Sequence, residues 1–253
     1  MNSLAIGAIS LGCMFGGALI GRLSARIVPD HHLSPESKDV VKLCAGLIAT
    51  MAALVLGLMV SSAKTSYDAV NDGLVRAAVT AANTDRILAR YGPEATPARE
   101  QIRHNLASTI NAIWPQEGAP TFRVSDAGAS EQEDVLGDTL RELSPHDESQ
   151  RIIKATAIQG YNEGTKLRWL LVEQAQASVP TVFLVVLVFW FTVLFSIFAM
   201  LAPGNRTINV VMLFCALSIT GGIVLILDMN RPFEGILKVS SAPMMNVLVH
   251  LGH

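Results

Sequence analysis

The sequence predicts an all-α membrane protein with four transmembrane helices and a helical domain outside the membrane, inserted between the second and third. Three observations carry that prediction. The 253 residues are 51% apolar and only 16% charged, and the mean hydropathy is +0.42, above what a soluble domain of this length shows. Of the 40 Asp, Glu, Lys and Arg residues, 28 fall between Lys64 and Ser178, less than half of the chain. Outside that stretch stand four runs with no charge at all. The predicted parts are therefore residues 1–63, the first helix pair with its loop; 64–178, the helical domain; 179–228, the second pair; and 229–253, a motif-bearing segment and tail.

The runs Leu4 to Gly21, Leu43 to Ala63, Val179 to Ala202 and Ile208 to Leu227 each hold 18 to 24 residues. At about 1.5 Å per residue, that length crosses a hydrocarbon core of about 30 Å. The first run has no basic segment before it, and Arg22 and Arg26 follow it, so it reads as a retained span and not a cleaved signal peptide. An even number of spans puts both ends of the sequence on the side of the helical domain. The positive-inside rule leaves that side open. Arg22, Arg26, Lys38, Lys42 and Arg206 stand against Lys64, Arg76, Lys166, Arg168, Arg231 and Lys238.

The spans differ in composition. In the first, Ala8, Gly12 and Gly16, with Gly17 and Gly21, form a small-xxx-small pattern suited to close helix packing. In the second, Gly46, Thr50, Ala53, Gly57 and Ser61 recur at steps of four, three, four and four, so all lie on one stripe. That stripe either packs tightly or lines a narrow path. The third, bulky around its whole circumference with Phe189, Trp190, Phe191 and Phe195, is expected to face lipid. Cys13, Cys44 and Cys215 fall inside apolar runs, as small buried hydrophobes would.

Between the pairs, Val70, Leu74, Ala77, Ala81, Leu88 and Tyr91 keep helical spacing until Gly92 and Pro93 stop the helix. The second span thus continues as a stalk. Thr96 and Pro97 open a helix with the stripe Ile102, Leu106, Ile110 and Ile113. After a loop from Pro115 to Ser130, Glu131 to Leu143 forms an acidic helix, and Ser144–Pro145 begins one that runs into the third span, antiparallel to the stalk. About 115 residues rich in Ala bury a thin core, which self-association would complete.

Chemistry for an enzyme is missing from the sequence: there is no GxSxG, P-loop, HExxH or dinucleotide turn. A net charge of −2 argues against nucleic acid. His31 and His32 sit near Asp30 and Glu36 without metal-ligand spacing, and Glu131, Glu133, Asp134 and Asp138 lack the pattern of a calcium loop. No metal or cofactor is expected. His250 and His253 belong to a frayed tail. Asp228, Asn230 and Arg231 close the fourth span; Lys64 is the expected partner of Asp228 and Asp68 that of Arg231, as a charged mouth or as a clamp to the stalk.

Five ordered stretches resemble the bestrophin-like family of bacterial membrane proteins. They are His31-His32-Leu33-Ser34; Gly57-Leu58 through Ser61 and Lys64 with Ser66-Tyr67-Asp68; Tyr91-Gly92-Pro93-Glu94; Asp228 with Arg231-Pro232-Phe233-Glu234-Gly235; and Ser240-Ser241-Ala242-Pro243. The resemblance covers essentially the whole chain and implies a four-span protein of a bacterial plasma membrane. By analogy with bestrophins it further implies a homo-oligomer, a pentamer by that analogy, that passes inorganic ions along the second span, with the helical domain in the cytoplasm. Glu234 stands alone where bestrophins carry an acidic calcium clasp, and the small-residue face of the second span has no cluster of large neck residues. The other function left open is a non-conducting membrane-anchored sensor or scaffold that binds a partner through the loop from Pro115 to Ser130. A proton-coupled transporter would hold acids or His within its spans, and these spans carry none.

Overall fold

Long apolar stretches without interior Pro become helices, even across Gly16-Gly17 and Gly221-Gly222, and the computed structural model joins these to shorter, more polar helices. It describes residues 3–27, 34–114, 129–176, 180–203, 205–233 and 235–251, with backbone alone at 129–134 and 175–176. In order the helices are α1 (Ser3–Ile27), α2 (Pro35–Ala89), α3 (Thr96–Ile113), α4 (Ala129–Glu142), α5 (Glu148–Gln176), α6 (Thr181–Leu201), α7 (Arg206–Met229) and α8 (Ala242–His250), with a 3-10 turn at Pro93–Ala95 before α3. Four of them, α1, α2, α6 and α7, are long and apolar enough to span a membrane. The fold is that of an all-α membrane protein. Two compact units emerge: Met1–Thr65 with Ser178–Arg231, and Ser66–Ala177 with Pro232–His253. His31, His32, Glu234, His253 and the loop at 115–128 lie outside the described residues, as do the side chains of Glu131, Glu133 and Asp134.

In the membrane unit α1 buries Ser3, Gly7, Ser10, Met14, Gly17 and Gly21. The steps alternate four and three, the period that keeps a seam facing one partner. A Cβ on Gly17 would strike the Thr192 carbonyl, and one on Gly21 the Ser196 carbonyl. Four residues along α1 match four along α6, so these helices run parallel in backbone contact. Against α7 the direction reverses: Ser3 pairs with Asp228, Gly7 with Val224, and Arg22 donates to the Asn209 side-chain oxygen.

Three expectations are corrected here. Ala8 and Gly12 are exposed and the space beside Gly16 is open, so only Gly17 and Gly21 of the small-residue pattern pack within the chain. The bulky third span, α6, buries Leu184, Leu187, Phe191, Leu194, Phe195 and Ala199. Its bulk fills the core of the unit while Val182, Val185 and Phe189 remain exposed. The three cysteines are exposed, not buried. A membrane surface tolerates apolar thiols outward because lipid is as apolar as a core.

In the helical unit, α2 and α5 are antiparallel. Gly73 of α2 meets Leu171, and eleven residues further on Thr84 meets Gly160, eleven residues earlier on α5. The α5 helix ends at Gln176 and α6 starts at Thr181 after an extended Pro180, so they are two elements and not the single helix expected. On α3 every fourth residue, Ala98, Ile102, Leu106 and Ile110, is buried, and each of the larger three contributes about 1.5–3 kcal/mol by leaving water. Lys154 donates to the Arg141 and Leu143 carbonyls at 2.6 and 2.7 Å, neutralising the C-terminal end of α4. Asp85 is buried and takes a two-pronged bond from Arg99, Nε to Oδ1 at 2.8 Å and Nη2 to Oδ2 at 3.1 Å. That bond raises the Arg99 pKa, so the guanidinium is charged wherever the protein is folded. The expected frayed tail is instead α8, which packs on α3 and buries Met244, with Leu251 buried just beyond it.

Candidate functional site

The second span presents two contrasting faces. Ala45, Ala52, Met59 and Ala63 are buried in the membrane core with Phe191, Leu194 and Ile223. Roughly opposite, Gly46, Thr50, Ala53, Gly57 and Ser61 are all exposed. Among the described residues, a Cβ added to Gly46 or Gly57 would meet nothing within 4 Å. Thr50 donates its hydroxyl to the Gly46 carbonyl at 2.9 Å, which leaves its oxygen lone pairs as outward acceptors. Beside this stripe runs a second row, outside the site predicted from sequence: Leu43, Leu47, Met51, Leu54 and Leu58 are exposed too, Leu43 by 75% and Leu58 by 71%. Its helical spacing was present in the sequence.

At the end of α7, Asp228 is 3% exposed and accepts a bond from the Ser3 hydroxyl at 3.3 Å. Ser3 lies 225 residues away, and no spacing pattern points to it. Asn230 ends the helix by donating both its backbone N–H and its side-chain amide to the Ile226 carbonyl, at 3.2 and 2.9 Å. Lys64 and Arg231 are exposed, and Asp68 is half-buried.

The remaining motif residues build turns. Gly92 has φ of 126°, a left-handed backbone that side chains disfavour, and Pro93 starts the 3-10 turn that carries Glu94. Gln150 of α5 donates to the Tyr91 carbonyl at 2.9 Å and pins the corner. Among the described residues, the buried Tyr91 hydroxyl has no hydrogen-bond partner. Burial, and then Glu94 and Asp147, push its pKa above the ordinary value. The folded state therefore holds the Tyr91 proton more tightly than the unfolded chain, and stability falls as pH rises above about 10. Tyr91→Phe is expected to change stability at neutral pH by less than about 1 kcal/mol and to flatten the alkaline decline. Melting curves between about pH 9 and pH 11 test this, and parallel declines for both proteins would contradict it. In the C-terminal segment, Val239 donates to the Pro232 carbonyl at 2.8 Å around Gly235, whose φ is 83°. Trp114, which caps the end of α3, clasps the loop, with Nε1 on the Val239 carbonyl at 2.9 Å and its ring edge-on to Phe233 at 6.3 Å.

The chain matches no curated protein by sequence. In structure it is similar to a bacterial bestrophin homologue from Klebsiella pneumoniae, crystallised as a variant, with a TM-score of 0.70 at 12% identity over 99% of this chain and 97% of that one. A second variant of the homologue gives a TM-score of 0.65 at 13% identity, covering 94% and 98%. A crystal structure described only as a membrane protein gives 0.68 at 11%, covering 96% and 97%. At such identities the likeness speaks for the fold. The sequence itself matches the family model of the Bestrophin-like domain over residues 12–244, nearly its full length, and the chain therefore belongs to the bestrophin-like family.

Proposed function

We propose that the chain is one subunit of a homo-oligomeric ion channel of a bacterial plasma membrane, with the second span lining the pore. The observation that carries this is the outward stripe Gly46, Thr50, Ala53, Gly57 and Ser61, open where a Cβ would be added at its two glycines and backed by a buried opposite face. A face of small and hydroxyl groups lets several copies come close around an axis and still offers oxygen to a passing ion. The exposed leucine row beside it then supplies apolar contact to the neighbouring copy. Lys64 and Arg231, both exposed, supply the charge of the mouth, Asp228 acts as a clamp on Ser3 behind it, and the helical domain lies in the cytoplasm. Bestrophin-like membership supports the reading.

Ion flux into liposomes that contain only this protein tests it. Voltage-driven flux that appears with the protein and is absent from empty liposomes is the expected result. Oligomers that never conduct, at any voltage or pH, would replace the channel with a membrane-anchored binding module.

A further inference from the structure

The loop that follows the fourth span carries an apolar tip. Ile236 is 75% exposed, more than any other large apolar side chain described in the helical unit, and Leu237 beside it is 38% exposed. Single apolar residues on a surface are ordinary. This adjacent pair is held in place. Its flanks Pro232 and Val239 are buried, and the bond from the Val239 N–H to the Pro232 carbonyl closes the turn around Gly235. Trp114 fastens the Val239 carbonyl from the other side at 2.9 Å. A fixed turn thus holds two large side chains out of the core, where contact with water forgoes the gain of burial.

Position along the chain points to the partner. Helix α2 is unbroken from Pro35 to Ala89, and its apolar run ends at Ala63, with Lys64 next. Tyr67 stands four residues beyond Ala63, about 6 Å further along the axis. Helical aromatic side chains lean toward the N-terminus of their helix, which for Tyr67 is back toward the span. The headgroup layer on one side of a bilayer is about 5–8 Å deep. The Tyr67 hydroxyl donates to the Lys238 carbonyl in a long bond of 3.5 Å, so the loop tip is tied to α2 at headgroup depth. Lys238 is exposed and brings a charge that suits the phosphates of that layer.

We propose that Ile236 and Leu237 are a membrane-surface anchor, which enters the boundary between headgroups and acyl chains in the leaflet where α2 leaves the bilayer. The anchor depends on the four-span fold and not on conduction, so its failure leaves the channel reading standing. A spin label tests it in the full-length protein in phosphatidylcholine–phosphatidylglycerol liposomes. Cys13, Cys44 and Cys215 are replaced by alanine, and Ile236→Cys supplies the labelled thiol. Glu148→Cys is the comparison in water, since Glu148 has an exposed side chain and starts α5 at the end away from α6. Collisions of each label with oxygen, which concentrates in lipid, and with a water-soluble nickel chelate are measured. Nickel collisions at Ile236 should fall several-fold below those at Glu148 while oxygen collisions stay high, and Leu237→Cys should behave likewise. The melting temperature of each variant identifies any that fails to fold, and either folded tip variant decides the question. Nickel collisions as frequent as at Glu148 would mean water at the tip, and exclusion of both reagents would mean a neighbouring protein chain; either result would overturn the anchor.

Discussion

Gly21→Ala is expected to destabilise the membrane unit, and Gly12→Ala is expected to leave it unchanged or slightly more stable. Both changes add one methyl group to the same helix. By helix propensity each gains up to about 1 kcal/mol. At Gly12 the added Cβ would meet none of the described residues within 4 Å, so the gain is kept. At Gly21 the methyl would overlap the carbonyl of Ser196, a backbone group that cannot rotate aside as a side-chain tip does. The parallel pair α1 and α6 must then separate, which also loosens the contacts around Gly17 and Met14. Overpacking of this kind costs about 1–3 kcal/mol, enough to reverse the sign. Thermal unfolding of the two purified variants checks it. Equal shifts would mean that α1 and α6 do not meet in backbone contact.

Gly57→Leu is expected to abolish ion flux, through a plugged path or a failed assembly, while the subunit melts like the wild type. The site has open space in its own chain, so no intrachain clash arises and propensity favours leucine. Around an axis the added volume multiplies by the copy number, and a narrow lumen has no room for it. Val186→Leu on α6 is the matched comparison, since Val186 is also exposed; its flux should stay near wild type. Flux retained in both proteins would remove the stripe from the pore.

Much of the architecture was legible because membrane spans are local. A run such as Leu43 to Ala63 carries its own signal of length and apolarity, and stops such as Gly92–Pro93 act on adjacent residues. Partners are harder to read. In a bilayer, lipid and protein interior are equally apolar, so composition did not separate the buried Leu184, Leu187 and Phe191 from the exposed Val185 and Phe189 on α6. Register was equally hidden. On α1 the packing seam follows steps of four and three through Gly7, Met14, Gly17 and Gly21, whereas the more regular Ala8-Gly12-Gly16 spacing faces outward.

At the candidate site the stripe on α2 was readable as a stripe, but which way it points depends on the small buried row Ala45, Ala52 and Ala63 opposite, whose partners are distant in sequence. The Ser3–Asp228 contact and the clasp of Trp114 on Val239 are non-local in the same way. No spacing rule predicts them. The motif Tyr91-Gly92-Pro93-Glu94 did announce its turn, because a positive φ followed by proline is a property of the residues themselves.

The most direct measurement is the structure of the assembled particle in lipid. Copies of the chain should ring a water-filled axis, with Thr50, Ala53, Gly57 and Ser61 of each α2 turned toward it and continuous water past Gly57. An axis lined by another helix, or this stripe closed against a neighbouring span with no aqueous route beside it, would contradict the account.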